Sequence, residues 1–131
     1  MGSFSNHWEN KILNYIFGKD SYSPPTIYVG LSTADPLDDA SGLAEPIGNG
    51  YARTVTSTSD WNTASEGMIN NLNELIFSEA TGSWGTITHF ALFDAATGGN
   101  MLCHGSLNQS RAIVSSDRAR FTAGDLSASL D

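Results

Sequence analysis

Apolar residues recur at helical spacing only near the start of this chain and alternate with polar ones through most of the rest. In residues 5–17, "SNHWENKILNYIF", the positions Trp8, Ile12, Leu13, Ile16 and Phe17 form one apolar stripe, which predicts an amphipathic helix. Asn6 followed by Glu9 reads as its capping box, with Ser5 as a competing cap, and Gly18 stands where a helix turns off. Pro24 and Pro25 stop any further helix. The stripe could cover a sheet in its own subunit or dock on another protein.

Beyond Pro25 the chain reads as strands. "TIYVGLS" (26–32) is β-branched and aromatic, and "YARTVTSTS" (51–59) alternates with one wet face. Residues 67–79 read as one or two extended segments, because an Asn-rich middle disfavours helix. "GTITHFALFD" (85–94) carries apolar residues at both parities, which predicts burial on both faces. "AATGGN" (95–100) supplies a turn and "MLCHGSL" (101–107) the returning strand. Pairing Ala91 with His104 sets His89 opposite Ser106, with both histidines on one face and Cys103 on the other. "RAIVSS" (111–116), "RARFTAG" (118–124) and "LSASLD" (126–131) read as further short strands, the last tied into a sheet. The expected fold is mainly β: an antiparallel β-sandwich or jelly-roll-like barrel with one N-terminal amphipathic α-helix. The 131 residues read as one domain, with the helix at 5–17 and the sandwich at 26–131.

Composition narrows the function classes. The formal charge of −8 opposes a nucleic-acid partner. The lone Cys103 rules out an intrachain disulfide framework and fits folding in a reducing cytoplasm. No apolar run nears the ~20 residues of a membrane helix, and no leader pattern is visible, so the chain reads as soluble with no membrane partner. Charge is unevenly spread. Asp35, Asp38, Asp39 and Glu45 crowd the long loop 33–50, whereas Arg111, Arg118 and Arg120 fall in the last third. That asymmetry could pair neighbouring subunits, or the two segments could simply be solvated loops. A loop as long as 33–50 is usually functional or mobile.

Candidate chemistry is thin. His89 and His104 lack a third metal ligand beyond guesses at Asp60 and Asp94. Cys103 and His104 are adjacent on a strand and so point apart, which makes no dyad. "DPLDDASG" does not match calcium-loop spacing. Trp61, Trp84, Tyr22 and Tyr51 are candidate sugar platforms, although Trp84 between Ser83 and Gly85 reads as a plug at the end of the sheet. No cofactor, metal or catalytic residue is expected, and the chain reads as a non-enzyme.

Five blocks in order, "FSNHWENKILNYIFG", "YVGLSTADP", "GNGYARTVT", "WGTITHFALFDAATGGNMLCHGSL" and "FTAGDLSASLD", resemble a group of small tailed-bacteriophage virion proteins often labelled tail-fibre-like. The resemblance runs from Phe4 to Asp131 and implies a structural protein with no catalytic residue to carry over. The family's shared positions fall on Glu9, Asn10 and Lys11, on Tyr28 and Val29, on Tyr51, Ala52 and Arg53, on Trp84 and Gly85, and on Phe93 to Gly99. Residues 60–78 depart from the family pattern. The resemblance implies assembly in the bacterial host cytoplasm into the virion, at the capsid surface or tail. Small size, low charge and absence of fibre repeats favour a capsid cement or decoration protein that binds the major capsid protein, as a homo-oligomer. A tail or baseplate fibre-like component and a host-glycan-binding module are the alternatives. The candidate partner contacts are Trp8, Ile12, Ile16 and Phe17 on the helix, Asp35, Asp38 and Asp39 on the loop, and Arg111, Arg118 and Arg120. Deletion of residues 1–18 would test the helix as an anchor.

Overall fold

A computed structural model describes residues 2–130. The protein is mainly β with one N-terminal helix, as the periodicity predicts. The elements are β1 (Gly2–Phe4), α1 (Asn6–Ile16), β2 (Tyr28–Ser32), β3 (Thr54–Val55), β4 (Met68–Asn70), β5 (Leu75–Ile76), β6 (Gly85–Phe93), β7 (Met101–Ile113), β8 (Arg120–Phe121) and β9 (Ser127–Ser129). Seven strands form one curled sheet in the order β3-β2-β6-β7-β1-β9-β4, and β5 pairs with β8 in a separate ribbon. Pairing is antiparallel except between β1 and β9, which run parallel.

The central hairpin has the expected register. Ala91 pairs with His104, His89 with Ser106 and Leu92 with Cys103. β6 is covered on both faces. Phe90 and Leu92 join the main core with Val29, Leu31, Phe77, Trp84, Leu102 and Leu126, while Ala91, Phe93 and Met101 make a second cluster under Leu43 and Tyr28. The ribbon closes the main core: Phe121 meets Phe90 edge-on at 6.1 Å and Phe77 at 6.3 Å. Each fully buried large side chain of this kind contributes about 1.5–3 kcal/mol.

Several elements differ from the sequence reading. "RAIVSS" does not start a new strand, because β7 runs on to Ile113 past a bulge in which Leu107–Ser110 face Thr88 alone. Those four residues carry the Asn, Gln and Ser of a turn, which hides the continuity. Of "YARTVTSTS" only Thr54–Val55 is strand, and a 3₁₀ turn follows at Thr58–Asp60. The helix is capped by Ser5, whose hydroxyl accepts the Trp8 N–H, and not by an Asn6–Glu9 box. Ser5 is also fixed from outside, since its own hydroxyl donates to the Met101 carbonyl. Strand β1 ahead of the helix was not expected. Gly18 takes φ 71° just past the helix, where a side chain would be strained. Asp131, the end of the expected last strand, lies outside the described residues.

Residues 60–78 are ordered by a buried side chain. Asn71 donates to the carbonyls of Asn73 (2.9 Å) and Thr122 (3.0 Å) and accepts the Leu126 N–H (2.9 Å). Its amide joins β4, the ribbon and the approach to β9 with its polar atoms satisfied.

Candidate functional site: one fastened loop and two open surfaces

The two histidines of the hairpin sit on the face that the long loop covers, and they diverge. His89 Nδ1 lies 2.8 Å from its neighbour's hydroxyl, Thr88 Oγ1. His104 Nε2 lies 2.8 Å from Asp38 Oδ1, and its Nδ1 is 3.9 Å from Asp35 Oδ1. One of the predicted contact acids, Asp38, thus also fastens the loop to the sheet. Among the described residues no group of three or more His, Cys, Asp and Glu is arranged to hold a metal ion. Cys103 is wholly buried on the opposite face, and burial pushes its thiol up to about 12, so it stays protonated and unreactive.

The loop 33–50 is not a free, solvated segment. Ser32 Oγ accepts the Ala44 N–H at 3.0 Å, and Thr33 N–H donates to the Ala44 carbonyl. The main fastening is a network that the sequence reading did not single out. Arg53 Nε donates to both oxygens of Glu45 at 3.1 Å, and its guanidinium carbon lies 3.4 Å from the Phe93 ring centroid. Arg53 Nη1 also donates to the carbonyls of Ala95 (2.8 Å) and Gly98 (2.9 Å), which holds the β6–β7 turn. Tyr51 donates to Glu45 at 2.7 Å and accepts the Leu31 N–H at 2.9 Å, and burial pushes its phenol well above the ordinary value. Gly30 makes room for all of this, since a Cβ there would stand 2.8 Å from Phe93 and 3.0 Å from the Tyr51 hydroxyl. Two of the blocks that carry the resemblance, those with Tyr51–Arg53 and Phe93–Gly99, meet here.

Fastened in this way, the loop presents Asp35, Leu37, Asp38 and Asp39 outward. Leu37 holds φ 65° and is 49% exposed at the tip.

The helix forms the first open surface. It rests on the sheet only through its first turns, where Trp8 stacks on Phe4 at 4.6 Å and packs at the edge of the core. Ile12 is half-buried, and no helix residue is fully buried. Leu13, Ile16 and Phe17 are 53%, 66% and 73% exposed. The structure therefore uses only the start of the apolar stripe, at Trp8 and Ile12, on its own sheet and leaves its end open.

The second open surface is a groove of about 530 Å³ between β7 and the ribbon. Its floor includes Ile87, Phe90 and Phe121, and its rim carries Arg111, Arg118 and Arg120. Three of the six basic residues, all within residues 111–120, thus share one rim. Arg111 reaches it because it pairs with Ile87, and Arg120 because it lies on β8, 3.6 Å from Glu74. Arg111 and Arg118 take no ion-pair partner among the described residues.

The aromatic candidates for sugar binding are largely used inside the fold. Trp84 is buried, donates to the Asn49 carbonyl at 2.8 Å and meets Tyr51 edge-on at 5.2 Å, so it does plug the end of the sheet. Trp61 donates to Thr56 Oγ1 at 3.0 Å and is half-buried, as is Tyr22.

The features brought together are thus a pinned acidic loop, an apolar helix end and an arginine-rimmed groove. A search of curated proteins finds no match to the chain. A family profile described as podophage GP4 fiber I protein gp80 matches residues 3–129, nearly the whole chain. This chain belongs to that family of phage virion proteins, the podophage fibre I proteins.

Proposed function

We propose that the protein is a non-enzymatic fibre-type component of a podophage virion that docks on another virion protein through the exposed apolar end of α1. The exposure of Leu13, Ile16 and Phe17 carries this reading. An 11-residue helix is marginal alone, and this one leaves its most apolar turn in water. A virion protein works in contact with other virion proteins, and that supplies the class of partner. The family description speaks for the fibre alternative over the capsid-cement expectation. The engagement of Trp84 and Tyr51 inside the fold weighs against a glycan platform built on those rings. Burial of Cys103 and the tie of His104 to Asp38 support a structural rather than catalytic role.

Removing residues 1–18 is the wrong test, because β1 sits between β7 and β9 and its loss would open the sheet. The appropriate variant is Ile16→Asp with Phe17→Ser, built into the phage. Quantitative mass spectrometry of purified particles is expected to show the protein depleted severalfold. Wild-type occupancy in the variant particles would refute the docking role of the helix.

A further inference from the structure

We infer that the arginine-rimmed groove receives the Asp35–Asp39 loop of a second copy of this chain, head to tail. The inference rests on the reading that the chain works within a virion assembly. It stands on different residues from those of the helix. The groove couples an apolar floor of Ile87, Phe90 and Phe121 to a rim of Arg111, Arg118 and Arg120. The loop offers the complementary pattern, an exposed Leu37 flanked by Asp35, Asp38 and Asp39.

The two patches cannot meet within one chain. The loop packs over the face that carries Ala91, Phe93 and His104, whereas the groove opens on the face of Leu31 and Phe90. The rim also holds Asp117 and Asp125, but these carboxylates serve their own turns, accepting from Val114 N–H and the Thr122 hydroxyl. Arg120 is offset by Glu74, so Arg111 and Arg118 are the rim cations without an ion-pair partner among the described residues, on a chain of net −8. An acidic partner segment is drawn to this site and repelled from most of the remaining surface. A volume near 530 Å³ accommodates a few side chains. A contact between two different patches is heterologous, so copies add in one direction and close a ring or extend a row.

The test uses the full chain in sedimentation velocity, up to about 1 mM, the weak limit of a specific contact. Wild-type protein is expected to associate in low salt and to dissociate as screening rises. The groove variant Arg111→Glu/Arg118→Glu and the loop variant Leu37→Ser/Asp39→Lys are each expected to weaken association roughly tenfold or more. Circular dichroism checks their folding, and Arg111→Gln/Arg118→Gln serves if the charge reversal misfolds. Mixed together, the groove and loop variants retain one intact groove and one intact loop between them, and are expected to form a dimer and nothing larger. Ile16→Asp/Phe17→Ser should associate like wild type, which separates this contact from helix docking. A wild-type chain monomeric at every salt, a folded variant that associates normally, or a mixture that fails to pair would each overturn the inference.

Discussion

The most consequential single residues are those that fasten the acidic loop. Arg53 is nearly buried against Glu45, so Arg53→Ala leaves a carboxylate in a low-dielectric site and should cost about 3–5 kcal/mol. Gly30→Ala attacks the same network by crowding Phe93, at about 1–3 kcal/mol. Urea denaturation checks both, and a midpoint shift smaller than that of a typical surface substitution would show that the network does not fasten the loop. Acid should act through aspartates whose folded-state pKa is lowered, among them Asp94 and Asp60 as well as the exposed Asp39. Partial burial opposes ionisation of Asp94, but hydrogen bonds from the backbone and side chain of Asn100 outweigh it and hold its pKa below the ordinary value. The Ser57 N–H and then the Asn73 amide do the same for Asp60. A depressed folded-state pKa gives stability that is full above the ordinary aspartate value and is lost as pH falls through the folded one. Stability should therefore decline below about pH 4, and Asp94→Asn should flatten that acid limb in denaturation curves. None of these roles was visible residue by residue. A lone arginine in "YARTVT" reads as a wet strand face, and only packing shows that it spans from Glu45 to Gly98.

At the scale of elements, legibility followed local periodicity. The β6–β7 register was readable because period-two alternation and a glycine-rich turn fix it together. The helix was readable from its stripe, although which face meets solvent was not, since periodicity marks an apolar face without naming what covers it. β1 was not readable, because three residues acquire strand geometry only from pairing with β7 and β9. The continuation of β7 was hidden by its bulge. Two outcomes belong here. Asn71→Ala should destabilise by about 1–3 kcal/mol, because it leaves the buried Leu126 N–H unpaired and frees the partly buried Asn73 and Thr122 carbonyls, and hydrogen exchange at Leu126 should report it. Ile16→Asp/Phe17→Ser should shift stability by no more than about 0.5 kcal/mol per site, because both side chains are already in water. A large loss of stability there would mean that the helix end is part of the fold rather than a docking surface.

At the scale of the molecule, the sequence disclosed an uneven charge distribution but not its geometry. Arg111, Arg118 and Arg120 gather only because β7 and β8 converge on one groove, and the acids face the other way only because Arg53 and His104 hold the loop across the sheet. A small acidic chain can then offer separate surfaces to separate partners: the helix end to another virion protein, the groove and loop to copies of itself. The measurement that tests this most directly is cryo-electron microscopy of the intact particle. The expected map places the protein in a tail fibre, with Leu13, Ile16 and Phe17 buried against a neighbouring virion protein. Density on the head shell, or a helix end facing solvent in the assembled particle, would contradict it.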